Sequence, residues 1–199
     1  MKKFASFLFV ILALAFVPTL APAAMLLTIT QSGNDVTLSA QGSLNITGLT
    51  TTSSFTSSAG VIVPASGIAR PGSSSQVALA YYNTPFNGPS SFGTGSLRFP
   101  DSGTGNPFGP AMLGASGVLG VPMGYTSGAL LSGSSLYTNS TLSSLGITPG
   151  TYIYTFNTGA NADTYTITAA VPEPSTWALL GLGTAGAGWV TLRRRRALV

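Results

Sequence analysis

The chain has 199 residues and a formal net charge of +4, from eight basic and four acidic side chains. Six of the eight basic residues lie near the two ends of the chain, so the middle offers no basic patch to a nucleic acid. Cys and His are both absent, which excludes thiolate and imidazole chemistry and the commonest metal ligands. We therefore expect a protein that is not an enzyme and has no cofactor or metal.

The chain opens with a pattern typical of a secretory leader. Lys2 and Lys3 precede Phe4–Val17, an apolar or small run of fourteen residues that is shorter than the ~20 residues needed to span a bilayer. Ala21 and Ala23 then supply the two small side chains that signal peptidase accepts. Residues 1–23 are predicted to be a signal peptide cleaved before Ala24, with the Sec translocon and signal peptidase as partners. The alternative is an uncleaved N-terminal anchor.

From Leu27 onward the apolar period changes to two, which predicts β-strands. Between Met25 and Ala170 no apolar stripe has the spacing of a stable helix. The predicted strands are Leu27–Thr30 and Val36–Ser39 as a hairpin, Ser43–Thr47, Val61–Val63, Gln76–Tyr82, Ser96–Phe99, and a second pair, Thr151–Phe156 with Thr164–Thr168.

Gly, Pro, Ser and Asn crowd the segments 83–92 and 101–110, which are predicted to continue neither a helix nor a central strand. We expect residues 24–170 to form one all-β ectodomain, a β-sandwich or jelly roll. Disorder is the competing interpretation, because Ser and Thr are abundant here. The spacing of Tyr and Phe along the predicted strands favours a folded domain.

The last segment, 171–199, has the layout of a membrane tail. Two prolines flank one carboxylate in Val171-Pro172-Glu173-Pro174-Ser175, which holds the chain extended. An uncharged stretch at 176–192, containing Trp177 and Trp189, is predicted to be a transmembrane helix. It is followed at once by Arg193, Arg194, Arg195 and Arg196. Cations at both ends of the chain belong in the cytoplasm by the positive-inside rule, so the β-domain is expected outside.

At these residues the sequence resembles bacterial proteins with a PEP-CTERM sorting tail, which are substrates of exosortase. The resemblance rests on Pro172-Glu173-Pro174, the Gly-rich apolar helix and the terminal arginines. It implies that exosortase recognises these three residues and removes the helix. The protein would be anchored in the inner membrane before processing and would then reach the cell surface or the extracellular matrix, where exopolysaccharide is a possible partner.

The ectodomain also resembles a recurring subset of these proteins, and this resemblance implies no biochemical activity. The residues that carry this second resemblance are Val121–Gly128, Asn139–Thr141, Leu145–Tyr152 and Ala162–Tyr165.

Other candidate sites have an ordinary structural interpretation beside the functional one. Gly181–Gly186 matches a dinucleotide fingerprint but lies in the predicted membrane helix. Asp101–Asn106 offers Ca²⁺ a single carboxylate and is typical of a turn. Asp35, Asp101 and Asp163 could form a glycosidase pair but lie among turn residues, as surface aspartates do.

Two further features concern sugars. Tyr81, Tyr82, Tyr152, Tyr154 and Tyr165 could stack on sugars, although alternating tyrosines on strands more often pack in a core. The Ser/Thr-rich stretch from Thr50 to Ser58 is interpreted as a loop open to O-glycosylation. The sequence therefore favours a structural surface protein associated with exopolysaccharide. The alternative is a carbohydrate-binding adhesin or lectin-like module.

Overall fold

The computed structural model of the protein describes residues 24–57 and 59–170, and the regular secondary structure in this range is almost entirely β-strand. Two short 3-10 helices within it span Pro64–Ser66 and Gly159–Asn161. The strands are β1 (Ala24–Ser32), β2 (Asp35–Ser43), β3 (Thr50–Ser57), β4 (Val61–Val63), β5 (Ile68–Arg70), β6 (Val77–Asn83), β7 (Phe86–Asn87), β8 (Ser102–Thr104), β9 (Gly109–Met112), β10 (Val118–Pro122), β11 (Leu130–Tyr137), β12 (Gly150–Phe156) and β13 (Asp163–Ala170). The all-β prediction is confirmed.

The largest sheet has seven strands in the order β7-β12-β13-β1-β2-β11-β8. Adjacent strands in this sheet run antiparallel, with one exception. β1 and β13 pair in parallel, from Ala24 opposite Thr164 to Thr30 opposite Ala170. A second sheet has the order β3-β6-β10-β9, and β4 pairs with β5 in a two-stranded ribbon. The first and last strands of the described range therefore lie side by side at the centre of the large sheet.

The hydrophobic core lies between the large sheet and the two smaller ones, as in a sandwich. Alternation along the strands turns Leu27 of β1 and Ile167 of β13 inward, where both are fully buried. Val121 of β10 belongs to the same contiguous cluster. The Tyr165 side chain reaches across this core, and its hydroxyl donates a hydrogen bond to the backbone oxygen of Ala69 on β5 at 2.7 Å. Inward alternation from three sheets thus closes a single core.

Both predicted strand pairs are confirmed. β1 and β2 form the hairpin, with Ser32 opposite Asp35 at the turn. β12 and β13 pair along their whole length, with Tyr154 opposite Tyr165. The predicted strands at 61–63 and 76–82 correspond to β4 and β6. The two strand pairs show a period of two, and all of these segments carry enough β-branched or aromatic residues to be recognised locally.

The predicted strand at 43–47 is wrong, because only Ser43 belongs to a strand, as the last residue of β2. Side chains bind the next three backbone N–H groups, those of Leu44–Ile46, in place of a partner strand. These groups donate to Tyr125 Oη at 2.9 Å, Asp163 Oδ2 at 2.7 Å and Ser127 Oγ at 3.0 Å. Alternation places two apolar side chains in the core, but the backbone needs no ladder once these acceptors are present.

The predicted strand at 96–99 is also wrong, since the structure shows there only an isolated bridge between Arg98 and Ile62. Conversely, Thr50–Ser57 is strand β3 and not a loop. The segments 83–92 and 101–110, predicted to continue neither a helix nor a central strand, contain β7, β8 and the start of β9. All three of those strands are sheet edges, where Gly and Pro are tolerated because one side of the strand makes no ladder.

Within residues 24–57 and 59–170, no helix has the length and hydropathy required to cross a membrane. The predicted signal peptide at 1–23 and the predicted transmembrane helix at 176–192 lie outside the described residues.

Candidate functional site

The predicted sorting and cleavage residues lie almost entirely outside the described range. This holds for Ala21, Ala23, Val171, Pro172, Glu173, Pro174, Ser175, Trp177, Trp189, Arg193, Arg194, Arg195 and Arg196. Ala24 is the exception, as the first residue of β1. The predicted signal-peptidase cut and the start of the tail thus directly adjoin β1 and β13.

The outward face of the seven-stranded sheet carries a continuous row of hydroxyl groups. Each residue in the row is the registered partner of the next, across six neighbouring strands. The row runs Thr151, Thr168, Thr28, Ser39, Ser134, Thr104. At its β8 end, the hydroxyls of Thr104 and Ser134 lie 2.9 Å apart in a hydrogen bond.

This hydroxyl row is uncharged, and its members are exposed or half-buried. Adjacent strands in a sheet are spaced about 4.8 Å apart, so the hydroxyls recur at roughly that interval. Flanking rows add Thr30 and Thr37 on one side and Thr164 and Thr166 on the other. The sequence shows that Thr recurs at every second position of 164–168, but only the register reveals that six strands align their hydroxyls.

Two of the three described aspartates lie close together at the end of β11. Asp101 Oδ2 accepts from the Thr138 backbone N–H at 2.8 Å, and Asp35 Oδ1 accepts from the Asn139 N–H at 3.0 Å. Because these amides are consecutive, the two carboxylates lie within about 10 Å of each other. The hydrogen bonds from Thr138 lower the pKa of Asp101, and Arg98, 3.8 Å away, adds to this effect. A glycosidase acid needs the opposite shift, and these carboxylates fix the backbone after β11.

Asp163 is not the surface aspartate that the sequence suggests, since it is only 3% exposed. Its two oxygens accept from the backbone N–H groups of Asn45 at 2.7 Å and Thr164 at 2.6 Å. Burial raises its pKa, against the opposing effect of these two bonds. It begins β13 beside Ala24, whereas Asp35 lies at the other end of β1–β2, on the order of 25 Å away. Asp163, whose pKa is raised, therefore cannot pair with Asp35 or Asp101.

The five tyrosines proposed for sugar stacking do not form one exposed platform. Tyr154 and Tyr165 are fully buried, so the packing interpretation is confirmed for these two. Tyr81 and Tyr82 are adjacent on β6, and adjacent side chains on a strand point to opposite faces. Tyr152 is half-buried and donates its hydroxyl to the Thr148 backbone oxygen at 2.8 Å.

The described residues contain no group of three or more Asp, Glu, His or Cys side chains that could hold a metal ion. Within residues 101–106, the candidate Ca²⁺ site, Ser102–Thr104 forms edge strand β8. Asp101 accepts hydrogen bonds from the Thr138 backbone and hydroxyl.

Sequence reasoning missed the role of Tyr125 and Ser127, which clamp the segment after β2. Tyr125 Oη lies 2.9 Å from the Leu44 nitrogen and 2.7 Å from the Ala129 oxygen. Ser127 Oγ accepts from the Ile46 N–H at 3.0 Å. Both residues belong to the segment that carries the ectodomain resemblance, and the structure gives that segment a structural role.

Comparison with protein families matches residues 170–196 to the PEP-CTERM protein-sorting motif. No curated protein and no solved structure matches the chain. The match begins at Ala170, the last residue of β13, and includes all five predicted motif residues and the four arginines. The chain thus carries a PEP-CTERM protein-sorting motif directly after its β-domain, and this motif indicates an exported protein that exosortase processes.

Proposed function

We propose that this protein is a non-enzymatic structural component of the cell surface or extracellular matrix, and that it associates there with exopolysaccharide. The tail would hold it in the inner membrane until exosortase acts, after the Sec translocon and signal peptidase have processed the other end. The β-domain would be the part that remains outside.

The hydroxyl row and its flanking threonines are the observation that carries this proposal. A neutral surface of regularly spaced hydroxyls exchanges hydrogen bonds with sugar hydroxyls and with the water between them. It presents no charge that would select or repel a particular polysaccharide. Many weak contacts along a repeating polymer suit a matrix component better than one deep sugar pocket would.

The arrangement of the ionisable side chains supports a role without catalysis. The carboxyl of Asp163, whose pKa is raised, accepts hydrogen bonds from two backbone amides. Asp35 and Asp101 accept hydrogen bonds from the backbone after β11 and hold it in place. Of the two described cations, Arg70 is 9% exposed and Arg98 lies 3.8 Å from Asp101. This leaves a phosphate polymer little to bind.

Cosedimentation of the processed protein with exopolysaccharide from the producing cells tests the proposal. Thr28→Val with Thr168→Val removes two adjacent hydroxyls of the row while keeping the side-chain shape. We expect this pair to lower the bound fraction severalfold, because neighbouring contacts along a polymer reinforce one another.

The matched control is Thr126→Val, an exposed threonine outside the hydroxyl row and its flanking rows, which should bind as the native protein does. Equal binding by the double variant and the native protein would remove the hydroxyl row from the proposal. A glycan array separates the lectin-like alternative, because saturable binding to one defined oligosaccharide would favour that alternative.

A further inference from the structure

A cavity of about 490 Å³ lies where strands β7 and β12 of the large sheet approach β5 and β9. Its size falls within the range of roughly 300–1,000 Å³ that is common for small-molecule sites. Met112 lines the cavity and is 52% exposed, so part of the lining lies at the protein surface. The cavity is separate from the hydroxyl row, which lies on the outward face of the large sheet.

The lining of this cavity is mainly apolar and carries no charge. Ile68, Phe86, Met112 and Leu113 supply the apolar surface, and the described lining includes no Asp, Glu, Lys or Arg. An ion placed here would lose its water without gaining a partner, which is costly. The chemistry of the wall therefore selects a neutral occupant with an apolar body.

One of the lining residues carries a polar atom that makes no hydrogen bond within the described part of the protein. Tyr154 is fully buried, and its hydroxyl has no hydrogen-bond partner among the described residues. The hydroxyl oxygen lies 3.0 Å from the point where a Cβ on Gly67 would stand, between the lining residues Ser66 and Ile68. Burial raises the pKa of Tyr154 to about 12, so the phenol keeps its proton and can donate it.

Two glycines allow the backbone to pass close against Tyr154. A Cβ on Gly67 would meet Leu113 Cδ1 at 2.5 Å, and a Cβ on Gly88 would meet Tyr154 Cδ1 at 2.8 Å. Gly67 also has φ of +65°, a conformation that side-chain-bearing residues rarely adopt. Neither position beside Tyr154 therefore has room for a side chain.

We propose that this cavity binds a small neutral molecule with an apolar body and one carbonyl oxygen, and that the oxygen accepts a hydrogen bond from Tyr154. A buried donor without a partner is unfavourable, and a carbonyl in the cavity would satisfy it. This binding is independent of sorting and of exopolysaccharide association, since it uses neither the tail nor the outward sheet face.

Benzophenone is a suitable probe, because it is neutral and apolar, has a single carbonyl, and photolabels the C–H bonds that it contacts. The full chain in a neutral detergent is irradiated with increasing benzophenone, and the labelled residues are mapped by mass spectrometry. We expect saturable labelling at Met112 and Leu113, approaching one label per chain. Non-saturable labelling there, or none, would overturn the proposal.

Tyr154→Phe removes only the hydroxyl. We expect about fivefold less labelling at subsaturating probe, as for the loss of one hydrogen bond, with no fall in the thermal midpoint. Labelling equal to that of the native chain would mean that water alone satisfies the hydroxyl, and would overturn the proposal. Ala111→Phe fills the cavity and should abolish the saturable labelling, whereas Ala160→Phe, at an exposed position away from the cavity, should not.

Discussion

Single side chains replace strand pairing after β2, and Tyr125 is the clearest case. Its hydroxyl oxygen is within hydrogen-bond distance of the backbone nitrogen and the backbone oxygen of Leu44, and of the backbone oxygen of Ala129. Tyr125→Phe leaves a buried backbone N–H without an acceptor, so we expect a loss of about 1–3 kcal/mol of unfolding free energy, measured by urea denaturation. Tyr152→Phe is the control, since its hydroxyl bonds an exposed carbonyl and should cost less than about 1 kcal/mol. Equal losses in the two variants would contradict the clamp.

Asp163 gives the domain a pH dependence of its own. Its pKa is raised by burial from the ordinary value of 3.8, so the folded state binds its proton more tightly than the unfolded state does. Folding stability from this group is therefore greatest below pH 3.8 and falls as the pH rises through the raised folded-state pKa. Urea midpoints from pH 3 upward should show this decline in Asp101→Asn and lose it in the double variant Asp101→Asn with Asp163→Asn. An unchanged profile in the double variant would contradict this assignment.

Asp101 is removed in both variants because its contribution has the opposite sign. Its lowered pKa adds stability above the ordinary value of 3.8, and this stability is lost as the pH falls through the folded-state pKa. In the native protein the two aspartates therefore partly mask each other.

At the scale of elements, two stretches of backbone cross so closely that only glycine fits. A Cβ on Gly95 would collide with the Leu145 backbone oxygen, and the Gly95 N–H donates to the Gly146 oxygen at 3.2 Å. Gly95→Ala should force the two backbone segments apart and lower the free energy of unfolding by more than about 2 kcal/mol, measured by thermal unfolding. Gly124→Ala is the control, because its φ of +76° is strained for alanine but nothing lies within 4 Å, and it should cost about 1 kcal/mol.

The sequence predicted those elements whose signal is local. β1, β2, β12 and β13 are seven to nine residues long, and inward apolar residues alternate in them with outward residues that mostly bear hydroxyls, so a period of two is visible without tertiary context. β7, β8 and β9 are edges of two to four residues and have no such period. The hydroxyl row and the cavity depend on register and on contacts between distant segments, which no local pattern encodes.

For the whole molecule, sorting depends on a motif that follows the sheet without a spacer. β13 ends at Ala170, and the matched motif spans residues 170–196. We expect Glu173→Gln to abolish tail removal in cells that carry exosortase, so that mass spectrometry finds the tail still attached. Asp101→Asn, which removes a carboxylate outside the motif, should be processed normally. Normal processing of Glu173→Gln would argue against recognition of this carboxylate.

The other end of the exported protein is equally close to the sheet. We expect mass spectrometry of the mature protein to find Ala24 as its first residue. Met25 is 1% exposed, so a cut two residues later would remove a buried side chain from β1. A mature chain beginning after Met25 would contradict the predicted cleavage.

The parallel pairing of β1 with β13 constrains the order in which the strands of the exported domain can pair. If export begins at the N-terminus, as the predicted signal peptide implies, β1 emerges first, yet its neighbour β13 is the last strand of the domain to arrive. Until then one edge of β1 has unpaired backbone groups, a state open to wrong partners. A tail retained in the bilayer would thus keep the late-arriving strand near its own domain while the central gap is closed.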